Sequence, residues 1–548
     1  MAAALALTGL VWDLGGYPLL EPDEGRNAEV MRELAREGPA WLPRLNGLPY
    51  VDKPIVHFAA GAATVRLLGT TEFAVRLPSL LFTLGTLAIV WGFARRLLGP
   101  RGGWHAAILT AASPFTIAYA RTVIFDATLT FFVTGAIAAF AVGVLAAEER
   151  RPAARWSLLG WGALALGLLT KGPVAVALPL LVVVPFAAWR RRPGVVLDPA
   201  GMLLLLAITL PWLFAMSTAV PDFVRYVLLV ETAQRMGTDV LGRTEPWWYF
   251  LPILAGAALP WTLVLAAALP DGVRALRARA VDHRVILALL WIALPLLLFS
   301  LSRSKRPQYV LPLVPAVAFL VAWWWERRDA YAGARVGAGL IAFGAVLVLL
   351  GPSVAGWVDA RPDVAAHIPS TARWLGAVTG LAGLAALLLG SRVAWTLPAL
   401  VLPVAVIPVV AMPLMDAIGR DRSSRDAAEA VAPVLTAGTE IVAVGTYPLS
   451  LPFYLDRTLT LVTVDGRELT SNYVVRRHER LRRASLGLRP PGWWEEALAA
   501  CDRPRLFVVP MDSVGVAQRL AATLPVRAVT RKYAVYGPCG PPVLARVP

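Results

Sequence analysis

The stretch WSLLGWGALALGLLT, Trp156–Thr170, carries no charged residue and approaches the ~20 residues that a bilayer-spanning helix needs. MLLLLAITLPWLFAM, Met202–Met216, reads the same way. Outward from these two runs the pattern repeats. The 548-residue chain is 57% hydrophobic and only 16% charged, and about thirteen apolar stretches follow one another. They lie near residues 1–14, 76–94, 104–120, 127–147, 156–170, 174–189, 200–216, 249–269, 285–302, 308–325, 336–351, 374–390 and 393–412. The expected class is an all-α polytopic membrane protein. The first stretch is short: fourteen helical residues cover roughly 21 Å of a core roughly 30 Å thick. The expectation is a true start upstream of Met1 rather than a tilted helix. No basic n-region or small-residue cleavage site precedes the early polar loop, so no cleaved signal peptide is expected.

A net charge of +16 would suggest nucleic acid in a soluble chain, but here its placement reports topology. The joints after even-numbered stretches are basic, as in ARRLLGPR, EERRPAAR and ERRDAYAGAR. Those after odd-numbered stretches are neutral to acidic; Gly15–Pro54 sets five basic residues against seven acidic ones. The first set is therefore expected in the cytoplasm and the C-terminus outside. SRSKRPQ, Ser302–Gln308, breaks the pattern with three basic residues and no acid on the outer side. No P-loop or GxGxxG follows a strand, so a bound nucleotide is not expected.

After residue 412 the character changes. SSRDAAEAVAPVLTAG reads as a helix capped by Ser423 or Ser424 and ending at a glycine. TEIVAVG, TLTLVTV, RLFVVP and VRAVTRKYAVYG read as short strands. The expected organisation is a membrane domain over 1–412, with a first outer catalytic loop at 15–54, and a small α/β extracytoplasmic domain over 413–548. Cys501 and Cys539 both fall in the second; a disulfide and two buried thiols are equally compatible with the sequence. VVRRHERLRRASLGLR reads first as a solvated basic helix face, with anionic lipid contact as the sharper alternative.

The first loop, EPDEGRNAEVMRELAREGPAWLPRLNGLPYVDKP, begins with an amphipathic helix over Glu24–Glu37, with Ala28, Met31, Leu34 and Ala35 on one side. A helix N-terminus accounts for Glu24, and for Asp23 a cap and a functional role weigh equally. Asp126, at the outer end of two apolar stretches, is a functional candidate. An ion pair with Arg121, five residues before it, is the plainer reading.

The chain has 48 arginines and only four lysines, Lys53, Lys171, Lys305 and Lys532. The first three fall in outer loops, each at a helix end beside proline or glycine: DKP, LTKGP and SKRP. With Arg235 in VETAQR they form a cationic set suited to a lipid-linked phosphate.

PDEGRNAE, LNGLPYVDKP, the FD at Asp126, LTKGP and SRSKRPQYVLPLVP together resemble integral-membrane C-type glycosyltransferases. The likeness is nearest to bacterial transferases that add aminoarabinose to lipid A, with protein O-mannosyltransferases more distant. It implies a polyprenyl-phosphate-linked sugar donor, a lipid A-like or other envelope acceptor, and inverting transfer at the outer face of the inner membrane. It implies Asp23 and Asp126 as the catalytic carboxylates. Tyr50, Lys53, Arg235 and Tyr309 match positions that hold the lipid phosphate, and Arg26, Lys171 and Lys305 belong to the same motifs. The chain departs from the pattern at Asp52 (often Glu), Asn27 (often Tyr) and Thr232, where Glu231-Thr232 replaces Glu-His. That histidine goes with a bound zinc in a relative, so no cofactor is expected with certainty; a divalent metal stays an open alternative that Thr232 argues against. The competing readings are a protein O-mannosyltransferase-like enzyme and, from another class, a lipid or sugar transporter. A transporter calls for ionisable groups near the bilayer midplane, whereas here the charged motifs sit at one end of the stretches.

Overall fold

Helix Asp126–Glu148 shows how composition places an element. Its apolar window is 83% buried within the protein, whereas that of Pro193–Ala219 is only 17% buried. Small residues on every side let the first sit among neighbours. The second turns Leu203, Leu210 and Phe214 outward, as a helix facing hydrocarbon does. The structure, a computed structural model, describes residues 1–36, 41–227, 245–277, 282–327, 332–389 and 393–540. Each apolar stretch read from the sequence lies mainly on helix. Among the described residues, six helices are long and apolar enough to cross a membrane, or up to eight if two bent pairs each count as one span. One pair, Phe250–Ala257 and Trp261–Arg274, turns by 107° at the Leu259-Pro260 step. The protein is a multi-pass membrane protein.

The chain divides into two compact units. The first comprises Met1–Leu14 and Arg76–Leu414. Within it, helix Ala2–Val11 ends against two arginines. Arg121 donates to the carbonyls of Leu10 (3.4 Å), Trp12 and Asp13 (2.9 Å), and Arg76 to that of Leu14 (3.2 Å). Guanidinium groups thus satisfy carbonyls at and beyond a helix end that would otherwise lack donors. The helices Ala332–Leu349 and Pro362–Leu388 approach through glycine: a Cβ on Gly337 would stand 2.6 Å from the Gly383 carbonyl oxygen, a distance no other residue tolerates.

The second unit comprises Gly15–Val75 and Met415–Pro548. The sequence reading groups loop 15–54 with the membrane part; by its contacts it folds with the C-terminal residues instead. A hairpin of β1 (Arg44–Leu45) and β2 (Leu48–Pro49) belongs to that loop. The C-terminal residues supply β3 (Glu440–Val444), β4 (Thr460–Val462), β5 (Leu488–Arg489), β6 (Arg505–Pro510), β7 (Val526–Val529) and β8 (Tyr533–Cys539). The sheet order is β5-β4-β3-β6-β8-β7. The first four strands run parallel; β8 is antiparallel to β6 and β7. Helices Leu451–Leu455, Asn472–Ala484 and Trp493–Ala500 make the crossovers. The C-terminal residues thus hold a mixed six-stranded sheet with helices between its strands. The helix expected to run to a glycine is shorter, spanning Arg425–Val431 before a 3₁₀ turn at Ala432–Val434. Pro433 lacks the N–H that would extend it, and Ser423, not Ser424, accepts the Arg425 N–H (3.2 Å). Cys501 and Cys539 form a disulfide.

Strand order reverses between β3 and β6, and the crevice beyond the carboxyl ends of such strands is where α/β folds commonly bind ligands. Here the first loop occupies it. Buried Glu21 accepts from Ser450 N (2.9 Å), Ser450 Oγ (2.7 Å), Ser424 Oγ (2.6 Å) and the Tyr533 hydroxyl (3.2 Å). Helix Asp23–Arg36 follows, both faces covered: Glu29, Arg32 and Glu33 are at most 1% exposed.

Candidate active site

In the second unit, Asp23 opens helix Asp23–Arg36 and Arg26 lies one turn on. Arg26 Nη2 is 2.5 Å from Asp23 Oδ1, and Arg26 Nη1 donates to Thr470 Oγ1 (2.8 Å). The guanidinium stands 6.0 Å from the Tyr50 ring centroid, a cation–π distance. Burial lowers its pKa, but Tyr50, Asp23 and Asp52 together raise it above the ordinary arginine value. Of the pair, Asp23 is the more open, with a third of its side chain exposed.

Tyr50 and Lys53 are delivered by a turn that the sequence reading passed over. Asn46 and Gly47 both have positive φ, 56° and 74°, as a type I′ hairpin turn requires, and Asn-Gly is its usual sequence. Glu33 accepts both turn N–H groups, the second at 2.9 Å. Asn46 bonds reciprocally with the Leu459 backbone at 2.8 and 2.9 Å. The Asn-Gly dipeptide was the available signal. The chain then leads to buried Tyr50, edge-on to Phe58 at 5.8 Å, and to Lys53, whose ammonium donates to the Asp52 carbonyl at 2.5 Å.

Burial and the neighbouring Glu29 hold the Glu33 carboxyl well above the usual range. Arg32 binds Glu29 through two 2.8 Å bonds and reaches Asp456 at 3.1 Å.

In the first unit, Asp126 starts helix Asp126–Glu148 and Lys171 ends helix Ala154–Lys171, where Gly172 at φ 77° closes the turn. An acid at a helix N-terminus and a cation at a C-terminus each suit the dipole. Lys171 Nζ and Asp126 Oδ1 are 2.6 Å apart and little exposed. The Asp126 ion pair is therefore with Lys171, while Arg121 serves the carbonyls described above. Lys171 Nζ also lies 5.2 Å from the Tyr309 ring centroid, and Tyr309 stacks on Phe250 at 6.2 Å. Buried Lys305 donates to the Ser302 carbonyl at 2.6 Å, just beyond helix His283–Leu301. Asp126, Lys171 and Tyr309 are thus contiguous in one unit, and Asp23, Arg26 and Tyr50 in the other. Arg235, Glu231 and Thr232 lie outside the described residues. Among the described residues no group of three or more His, Cys, Asp or Glu is placed to hold a metal ion.

Residues 52–215 match the family model of dolichyl-phosphate-mannose-protein mannosyltransferases. The chain is 31% identical over 377 residues to the undecaprenyl phosphate-α-4-amino-4-deoxy-L-arabinose arabinosyl transferase of Edwardsiella ictaluri, covering 67% of each chain. It is 33% identical over 401 residues to that of Erwinia tasmaniensis, covering 70% of each. Among solved structures, the crystal structure of ArnT from Cupriavidus metallidurans bound to undecaprenyl phosphate matches with a TM-score of 0.82 and 26% identity. That match covers 98% of this chain and 97% of the other. A polytopic fold with paired carboxylates and cations at helix ends, matched over nearly its whole length, defines an integral-membrane glycosyltransferase. Within that class, the chain belongs to the aminoarabinose transferase family of the protein-mannosyltransferase-like superfamily.

Proposed function

We propose that this enzyme moves a sugar from a polyprenyl-phosphate-linked donor to a lipid A-like glycolipid at the outer face of the bacterial inner membrane, with inversion. The observation that carries this reading is the near-complete match to a structure holding undecaprenyl phosphate, together with relatives named as arabinosyl transferases. In the reaction the bond from sugar C1 to the phosphate oxygen breaks, and polyprenyl phosphate leaves with the electron pair. The acceptor oxygen bonds to C1 from the opposite face. Negative charge grows on the departing phosphate, so Lys53, Lys305 and Arg235, with Tyr50 and Tyr309, stabilise it more in the transition state than before. An acceptor hydroxyl passes its proton to Asp23. An acceptor phosphate needs no base, and Asp23 then holds sugar groups. Asp126, paired with Lys171, is the second carboxylate to which the resemblance gives a catalytic role.

The proposed topology has about thirteen spans, cytoplasmic basic joints, and residues 413–548 in the periplasm. The Cys501–Cys539 disulfide favours an oxidising compartment. A reporter active only in the periplasm, fused after Pro548, tests that side. The match at 52–215 supports a second reading, in which the acceptor is a protein hydroxyl. Mass spectrometry of envelope glycolipids and glycoproteins, with and without the gene, separates the two.

A further inference from the structure

We propose that Asp52 is a positioning residue that sets Lys53 by docking onto the start of helix Asn472–Ala484. This rests on the role given to Lys53 above. Asp52 is 8% exposed, and its carboxylate accepts the backbone N–H of Asn472 at 3.2 Å and of Tyr473 at 3.4 Å. These are the first two residues of that helix, after the cap Ser471. Their N–H groups have no intrahelical acceptor, and the positive end of the dipole favours a carboxylate there. The neighbouring Thr470 takes the Arg26 guanidinium through Oγ1 at 2.8 Å. Two charged groups of the first loop thus dock on three residues of one short segment, Thr470, Asn472 and Tyr473.

The consequence falls on Lys53. Its ammonium rests on the carbonyl of Asp52 itself, 2.5 Å away. Fixing the Asp52 side chain fixes the peptide on which the ammonium sits. A flexible four-carbon stem otherwise spreads the charge over many rotamers, and a misplaced donor loses most of its transition-state value. Asp52 need not touch substrate to act in this way.

The partner side offers a clean probe. Asn472 is the first helical position, where proline is well tolerated because that N–H makes no intrahelical bond. Ser471 has φ −113° and ψ 119°, the extended conformation a residue before proline prefers. Asn472→Pro therefore removes one backbone donor to Asp52 at a position whose backbone accepts proline.

The test is a double-mutant cycle on the full-length protein in proteoliposomes, reading the single-turnover rate of sugar transfer from the lipid-linked donor. Asp52→Asn and Asn472→Pro should each slow transfer about tenfold, the scale of a lost charge-assisted hydrogen bond, and Asp52→Glu should restore most of the rate. In a Lys53→Ala background both substitutions should change nothing further. If either substitution keeps its full effect when Lys53 is absent, or none in its presence, Asp52 does not act through Lys53 and the inference falls. If the wild-type protein transfers nothing from the lipid-linked donor, the reading of function falls and this inference with it.

Discussion

The Lys171 ammonium lies 2.6 Å from Asp126 Oδ1, both side chains largely out of solvent. Each residue ends or begins a helix, so the bond ties the end of Ala154–Lys171 to the start of Asp126–Glu148. Removing one charge leaves the other buried without compensation, which costs about 3–5 kcal/mol. Asp126→Asn and Lys171→Met should each lower the thermal unfolding temperature clearly. The double variant should recover most of that loss. If its transfer activity also returns, the pair is structural; the proposed role expects activity to stay lost.

Asp23 behaves differently because its side chain is one-third exposed. Asp23→Asn should lose less stability than the Asp126 variants, since Asp23 is partly open to solvent and Arg26 keeps Tyr50, Asp52 and Thr470 beside it. With a hydroxyl acceptor its rate should fall on the order of 10²–10⁴, the range of a lost general base. An unchanged rate with every acceptor would reduce Asp23 to a helix-terminus residue.

Lys53 tests why a chain with 48 arginines uses lysine here. Arginine is a wide planar fork, lysine a compact point charge on a flexible stem. Lys53→Ala should cost about 10²–10³ in rate, and Lys53→Arg should not restore it. Wild-type rates in Lys53→Arg would make the rarity of lysine an accident of composition.

Glu33 sets a pH dependence. Burial, with Glu29 second, raises its carboxyl in the folded protein well above the usual range. Between its unfolded value, ~4.3, and that raised value, the folded state holds a proton the unfolded state has lost. The stabilisation is therefore complete below ~4.3 and is lost as pH rises through the folded pKa. Glu33→Gln should flatten this fall in thermal stability as pH rises above ~4.3, and an unchanged pH slope would show that Glu33 does not set it.

Much was legible because membrane helices announce themselves: no water satisfies backbone groups in hydrocarbon, so long apolar runs must be helical. The β-branched runs of β3 and β6 were equally plain. Pairings over long separations were not. Nothing near Asp126 names Lys171 as its partner in place of Arg121, nor marks Glu21 as destined for Ser450 and Tyr533. The burial of Glu29, Arg32 and Glu33 also escaped, because a polar helix face reads as solvated until a second segment covers it. The Asn46-Gly47 turn was readable, and explains how Tyr50 and Lys53 are set down where they are.

The most direct test of the central claim uses purified full-length protein in proteoliposomes, given a polyprenyl-phosphate-linked aminoarabinose and lipid A, with products followed by mass spectrometry. The account predicts lipid A heavier by one sugar residue, free polyprenyl phosphate in equal amount, and both formed about 10²–10³ more slowly with Lys53→Ala. Donor that crosses the bilayer unchanged, with no sugar on lipid A or on any other acceptor offered, would contradict it and return the protein to the transporter class.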